Sequence, residues 1–194
     1  MIWRAMVSVT VIGLISMLGW RIAVGRSRLV VDPQGGRFPT VSGFNLERKE
    51  LEFPRDFGGE LNLLFVPFLQ RQQLTVNTWL PFAQELEQIV PGLVYYELPT
   101  IDEMSALSRT FINEGMRAGI PDPKARQRTV TLYIDTESFR RSLDIPGKDQ
   151  VHILLVDRAG NILWRTTGDF DLDKGQALVE AIKAEVGAPD PVSR

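Results

Sequence analysis

The sequence predicts an α/β fold in which a mixed β-sheet has helices on both faces, preceded by one N-terminal transmembrane helix. From residue 61 to residue 99 the apolar pattern reads strand, helix, strand, and this order requires a parallel pair of strands. Two further apolar runs, at 151–157 and 161–168, are joined by a glycine-containing turn and predict an antiparallel hairpin. The third observation is an uncharged stretch near the amino terminus.

This amino-terminal stretch has the length of a transmembrane helix. Residues 5–20, AMVSVTVIGLISMLGW, carry no charge, and the apolar run resumes after Arg21. About twenty such residues cross the hydrocarbon core of a bilayer as a helix. Two alternatives stay open. A cleaved signal peptide fits the small residues of AVG at 23–25, and a mitochondrial presequence fits several arginines with no acid before Asp32.

Basic residues at the end of the stretch favour the cytoplasmic, or matrix-like, side of the membrane for the domain that follows. Three arginines near residues 21–28 outnumber Arg4 and the free amine, and such residues are retained on the cytoplasmic side. The orientation otherwise stays undecided. The predicted division of this single-pass membrane protein is an anchor (or signal peptide) with a basic flank at 1–28, a linker at 29–37, the α/β domain at 38–186 and a disordered tail at 187–194.

Composition excludes several classes of activity. None of the 194 residues is cysteine, which rules out disulfides, thiol catalysis and cysteine-ligated metal clusters. His152 is the only histidine, so a histidine-rich metal site is impossible and a His-containing triad would depend on this one residue. The net charge of −2 gives no reason to expect a nucleic-acid partner. We predict no metal and no cofactor.

The elements of the domain follow from apolar spacing and from turn residues. A region of short strands at 38–59 is broken by prolines and glycines, and the continuous apolar run LNLLFVPF at 61–68 is typical of a strand covered on both faces. A helix through Trp79, Phe82, Leu86 and Ile89 follows and ends at Pro91-Gly92. After a strand at 93–99, a second helix is marked by Met104, Leu107 and Phe111 and ends near Gly119. A strand at 129–135, a short helix around 137–143 and the hairpin come next, and the last helix runs through Leu178, Val179, Ile182 and Val186.

Two stretches resemble the thioredoxin-like superfamily, especially its peroxiredoxin and thiol-oxidoreductase branch. FPTVSGFNLERKELEFPRDFGGELNLLFVPF resembles the entry to the first core strand of that branch, and VHILLVDRAGNILWRTTG resembles its closing hairpin. RTVTLYID, VHILLVDRAGNILW and NTWLP are also similar to the thioredoxin-like mitochondrial ATP synthase assembly factors. That family acts at the inner membrane as a chaperone of a membrane subunit. The resemblance therefore implies a protein partner and no redox catalysis.

Both registers of this resemblance place other residues where reactive cysteines belong. Counted from the proline of LNLLFVP, the peroxiredoxin spacing Pro-x-x-x-Thr-x-x-Cys has Arg71 at the threonine position and Leu74 at the cysteine position. Counted back from Pro81, as the proline of the thioredoxin helix, the two cysteine positions are Gln73 and Val76. None of these side chains forms a thiolate nucleophile. The resemblance also implies a proline before the third core strand, where this sequence has arginine at 128.

The turn from the first core strand into its helix, at 67–79, is the predicted partner-binding surface, because ligands favour this edge of open α/β sheets. Arg71 and Arg128 can converge there on an anion, although two surface arginines without a common ligand are the favoured reading. Helix capping explains the polar residues of the turn, and Trp79 is most simply a core aromatic. The candidate residues are Arg71, Gln73, Leu74, Thr75, Asn77, Trp79 and Arg128.

The sequence thus predicts a membrane-anchored, non-catalytic protein that acts as an assembly factor or chaperone for a membrane complex, with ATP synthase implied by the resemblance. The alternative is a degenerate relative of the peroxiredoxins or thiol oxidoreductases that catalyses a reaction with a non-thiol group. The missing nucleophile favours binding over catalysis.

Overall fold

The computed structural model describes residues 29–30 and 36–186. The predicted membrane anchor at 1–28 and the predicted tail at 187–194 lie outside the described residues. In the part of the chain that is described, no helix combines the length and the apolar character needed to cross a bilayer. The prediction of a transmembrane helix therefore stays a prediction.

The elements follow one another largely in the predicted order, but the short β1, β6 and α3 were not expected from the sequence. A short 3₁₀ helix at Gln70–Gln72 leads directly into α1. The elements are β1 (Leu29–Val30), β2 (Thr40–Asn45), β3 (Glu50–Phe53), β4 (Leu61–Val66), α1 (Gln73–Ile89), β5 (Leu93–Glu97), β6 (Thr100–Ile101), α2 (Ala106–Gly119), α3 (Pro123–Arg128), β7 (Val130–Tyr133), α4 (Thr136–Ser142), β8 (His152–Asp157), β9 (Ile162–Thr167) and α5 (Leu172–Val186). Strand β1 falls within the predicted linker.

The main sheet has four strands in the order β5-β4-β8-β9. Strands β4 and β5 are parallel and are connected by α1, and β8 runs antiparallel to β4 with Leu64 opposite Leu154. The hairpin of β8 and β9 supplies the antiparallel edge. These pairings confirm the predicted mixed sheet. Every residue of β4 is buried, as its continuous apolar run predicted.

Strand β7 does not join this sheet, contrary to the expectation that it forms the third core strand. It pairs with β2 and β6 in a second sheet of order β1-β2-β7-β6, in which β3 also pairs with β2. Glycine at position 43 permits the contact, because an added Cβ atom would lie 2.6 Å from the carbonyl oxygen of Thr131. The strand next to β4 is β8, and Val151 immediately precedes it.

Two apolar cores lie on opposite faces of the main sheet, because successive side chains of β4 point in opposite directions. Leu64 and Val66 belong to the core shared with the second sheet and α4. Leu63 and Phe65 belong to the core beneath α1 and α5. Helices on both faces of a mixed sheet are therefore confirmed.

Helix α2 is amphipathic and ends at Gly119, as predicted. Its large apolar side chains, however, face away from the protein, whereas those of an ordinary surface helix face the core. Leu107 and Phe111 are 84% and 65% exposed, whereas Arg109 on the other side of the helix is buried. The physical reason lies in the sheet beneath α2. Val130 and Leu132 of β7, and Ile134 directly after it, fill the core, so the intervening Thr131 and Tyr133 give the outer face polar groups.

Candidate partner-binding site

The candidate site lies where β4 ends and α1 begins, at the carboxyl edge of the main sheet. The buried Gln72 fixes the turn between the two elements. Its Oε1 atom accepts hydrogen bonds from the backbone N–H groups of Phe68 at 2.7 Å and Leu69 at 3.1 Å. Its Nε2 atom donates to the carbonyl oxygen of Lys148 at 2.6 Å. This one side chain therefore ties the turn to the loop before β8. Gln72 was not among the predicted site residues, because nothing in QRQQ distinguishes it from the other glutamines.

Gln73, the first residue of α1, is hydrogen-bonded to two neighbours. Its Nε2 atom donates to Oδ1 of Asn77, one turn further along the helix, at 3.1 Å. The same atom donates to Oε2 of Glu97 at 2.9 Å. Glu97 ends β5 and is buried, with 2% of its surface exposed. Glu97 was not predicted either, although an acid at the end of the apolar strand LVYYE was a usable signal.

In the register counted from the proline inside the helix, the two cysteine positions fall in the first turn of α1. Pro81 lies within α1, Gln73 is its first residue, and Val76 in the first turn is completely buried. Arg71 belongs to the preceding 3₁₀ helix and is exposed. The side chain of Leu74, between the two cysteine positions of this register, is 73% exposed.

A second polar group lies across the turn. Oδ2 of Asp102 is 2.7 Å from Nζ of Lys148, and Oδ1 accepts a hydrogen bond from the hydroxyl of Thr136. The hydrogen bonds from Lys148 and Thr136 hold the pKa of Asp102 below its ordinary value of 3.8. The backbone of Lys148 also accepts the hydrogen bond from Gln72. The turn before α1, the loop after β6 and the loop before β8 are therefore joined at this edge.

Five of the seven candidate residues lie together at this turn, and Trp79 is not available to a partner. Thr75 accepts a hydrogen bond from the hydroxyl of Thr78 through its carbonyl oxygen, at 2.7 Å. The Trp79 side chain is fully buried, and its Nε1 atom donates to the carbonyl oxygen of Gly168 at 2.9 Å. The core interpretation of Trp79 is therefore correct, and its place among the partner-binding candidates is wrong.

Arg128 lies elsewhere. It ends α3 and donates from its Nη1 atom to Oε2 of Glu87, near the carboxyl end of α1, at 2.6 Å. Its guanidinium carbon is 4.7 Å from the ring centroid of Tyr95. Burial favours a higher pKa for Glu87, but hydrogen bonds from Arg128 and Lys124 bring the pKa below its ordinary value of 4.5.

The two candidate arginines consequently do not converge. Arg71 precedes α1, whereas Arg128 is bonded to Glu87 in the last turns of the same helix. The rise of an α-helix puts roughly 20–25 Å between these two ends. The expectation that Arg128 precedes a strand of the main sheet is wrong because β7 belongs to the second sheet.

Comparison with solved structures supports the thioredoxin-like fold. A putative electron transfer protein from Aquifex aeolicus VF5 is similar with a TM-score of 0.54 and 13% identity, over 79% of this chain and 99% of that chain. BsSco, a member of the Sco family of cytochrome c oxidase assembly proteins, is similar with a TM-score of 0.52 and 12% identity, over 82% of this chain and 99% of that chain. A putative thiol:disulfide interchange protein DsbE from Chlorobium tepidum is similar with a TM-score of 0.50 and 15% identity, over 79% of this chain and 97% of that chain.

Similarity at these identities shows the fold alone. No protein-family profile matches the chain, and no curated protein matches its sequence. The domain therefore has a thioredoxin-like α/β fold of the kind found in thiol:disulfide oxidoreductases, built without cysteine.

Proposed function

We propose that this thioredoxin-like chain is a membrane-anchored, non-catalytic binding protein. In this proposal it acts as an assembly factor or chaperone for a membrane complex, and ATP synthase is the first candidate complex. The observation that carries the proposal is the start of α1, where Gln73 is hydrogen-bonded to the buried Glu97. In the register counted from Pro81, Gln73 and Val76 take the two cysteine positions.

The site offers recognition groups in place of a thiol nucleophile. Leu74 exposes an apolar side chain at the rim of the polar group formed by Gln73, Asn77 and Glu97. An apolar anchor with polar groups beside it is the usual composition of a site that binds a polypeptide segment. Its place at the carboxyl edge of the sheet is where α/β folds generally bind ligands.

The membrane part of the proposal comes from the sequence. Residues 5–24 have one charge and the length of a bilayer-spanning helix. The stretches RTVTLYID, VHILLVDRAGNILW and NTWLP are similar to the thioredoxin-like ATP synthase assembly factors. BsSco shares the fold and belongs to a family of cytochrome c oxidase assembly proteins, so the fold is compatible with this kind of role.

The alternative function is catalysis by a non-thiol group, and Glu97 is the residue at the site that could act as an acid or base. The Glu97→Gln variant distinguishes the two functions because it keeps the shape and removes the carboxylate. An enzyme that depends on Glu97 is expected to lose its cellular role completely in this variant. A binding protein anchored by Leu74 is expected to lose only part of its role, because the amide oxygen of the introduced glutamine can still accept the hydrogen bond from Gln73.

The experiment that tests the proposal uses the cells that make this protein. Membrane complexes are separated on native gels from cells with and without the gene. We expect the depleted cells to lose one complex and to accumulate its unassembled subunits, and we expect the full chain to restore it. A variant that lacks residues 1–28 is the matched control, and it is expected to restore little because the domain is no longer held at the membrane. Unchanged complexes in the depleted cells would contradict the proposal.

A further inference from the structure

Helix α2 turns its polar side to the protein. The guanidinium carbon of the buried Arg109 lies 5.7 Å from the ring centroid of Tyr133 in β7. The hydroxyl group of Tyr133 donates to Oδ1 of Asn113 at 2.8 Å, and Arg117 donates to the carbonyl oxygen of Leu46 at 3.3 Å. Polar contacts on one side of α2 therefore hold the helix against the outer face of the second sheet.

The opposite side of α2 exposes two large apolar side chains beside the polar Ser108 and Glu114. Leu107 and Phe111 are one turn apart, so their side chains lie next to each other on the helix surface. Gly115 continues the row, and a Cβ atom added there would have no heavy atom within 4 Å. Among the described residues nothing covers this side, which we name the outer face of α2. Single exposed apolar residues are common, but an aligned pair indicates a surface that contacts something.

Strand pairing shows where the amino-terminal segment meets the domain. Leu29 of β1 lies opposite Val41, and Thr131 of β7 lies opposite Phe44, both against the same strand β2. Strands β1 and β7 both run antiparallel to β2, so β1 begins beside the end of β7. Leu29, the first described residue, therefore lies near Tyr133, the residue over which α2 packs.

The connection between this point and the predicted anchor is short. Only residues 25–28 separate Val24 from Leu29, and a fully extended chain of this length spans at most about 18 Å. Arg26 and Arg28 lie in this connection. Basic residues beside a membrane helix are attracted to anionic lipid headgroups. A bilayer that holds residues 5–24 would thus lie close to the corner of the domain that carries α2.

We infer that the outer face of α2 binds the surface of that bilayer, with Leu107 and Phe111 inserted between anionic lipids. This inference rests on the membrane anchor of the proposed function. An amphipathic helix that lies flat in the interface buries its apolar side in this way. A second copy of the chain is a poorer occupant, because two side chains offer far less than the about 800 Å² per partner of a stable interface.

The missing cysteines make a direct test possible, since one introduced cysteine is the only thiol in the chain. The full-length Phe111→Cys variant, labelled with an environment-sensitive nitrobenzoxadiazole dye, is reconstituted into phosphatidylcholine vesicles that contain phosphatidylglycerol. We expect a blue-shifted emission that nitroxide-labelled lipids quench. The matched control is Gln176→Cys at an exposed position of α5, and its label is expected to stay in water. Leu107→Cys repeats the test if the first variant folds poorly.

The outcomes separate this inference from the proposed function. A chain that does not float with the vesicles overturns the anchor and this inference together. A chain that floats, with the label at position 111 as water-exposed as the control label, overturns this inference alone. A label shielded from water but not quenched by the nitroxide lipids also overturns it, and shows that residues 5–24 or a second copy cover α2 instead.

Discussion

Gln73, the first residue of α1, donates a hydrogen bond of 2.9 Å to the carboxylate of Glu97, the last residue of β5. The bond joins the start of the helix to the end of the neighbouring strand, at one of the two cysteine positions of the register counted from Pro81. The structure therefore keeps this edge of the sheet ordered with an amide and a carboxylate.

Removal of the amide should destabilise the domain. We expect Gln73→Leu to lower the free energy of unfolding by about 2 kcal/mol, because a hydrogen bond to a buried carboxylate is lost. Chemical denaturation of the variant and the wild type measures the difference. The control is Gln88→Leu at an exposed position of the same helix, with an expected change below about 0.5 kcal/mol. Equal effects of the two substitutions would show that the Gln73–Glu97 bond contributes nothing.

Restoring the thiols should restore disulfide chemistry. In the double variant Gln73→Cys with Val76→Cys, we expect a reversible disulfide and a measurable reductase activity. The helix start lowers the pKa of a thiol at position 73, and the wild-type chain provides the blank because it has no cysteine. Thiol titration and an insulin reduction assay measure the two properties. If both thiols stay free in an oxidised glutathione buffer, the register counted from Pro81 is wrong.

The two candidate arginines should differ sharply in their effect on stability. Arg128→Glu places a second carboxylate beside the largely buried Glu87 and removes the contact with the Tyr95 ring, so we expect a loss of about 3 kcal/mol. Arg71→Glu changes an exposed side chain and should cost below about 0.5 kcal/mol. Urea unfolding of both variants makes the comparison. An Arg128→Glu variant as stable as the wild type would show that the ion pair with Glu87 does not stabilise the domain.

His152 should give the domain a specific pH dependence. Burial, with a smaller contribution from Arg165, lowers the pKa of His152 below its ordinary value of 6.5. The unfolded chain therefore takes up a proton at a higher pH than the folded chain. The free energy of unfolding is expected to fall as the pH drops below 6.5, until the folded His152 is also protonated.

Urea unfolding between about pH 7.5 and pH 5 measures this loss. Because the chain has no other histidine, the His152→Gln variant should lack this part of the pH dependence. The same slope in the variant and in the wild type would show that other groups cause it.

The order of the elements was predictable because most of them have a local signal. The continuous apolar run of β4 and the helical spacing that starts at Trp79 depend only on neighbouring residues. The assignment of β7 to a second sheet was not predictable, since it depends on the close approach of two distant strands at Gly43.

The orientation of α2 was equally hidden. The spacing of Leu107 and Phe111 identifies an apolar side of a helix, but the same spacing does not say whether that side meets the protein or something outside it. The site was predicted in part for a similar reason. Local sequence identified the turn at Gln73 and Leu74, whereas Glu97 becomes part of the site only through the parallel pairing of β4 and β5.

Site-directed cross-linking shows whether a protein partner docks at the start of α1. A benzophenone group is attached to the full-length Leu74→Cys variant and, as the control, to Leu172→Cys. These leucines are 73% and 76% exposed and lie at the starts of α1 and α5. After irradiation of intact membranes, we predict one cross-linked subunit of a membrane complex from position 74 and none from position 172. Cross-links to that subunit from position 172 alone would show that the partner docks at the start of α5 and not at the start of α1.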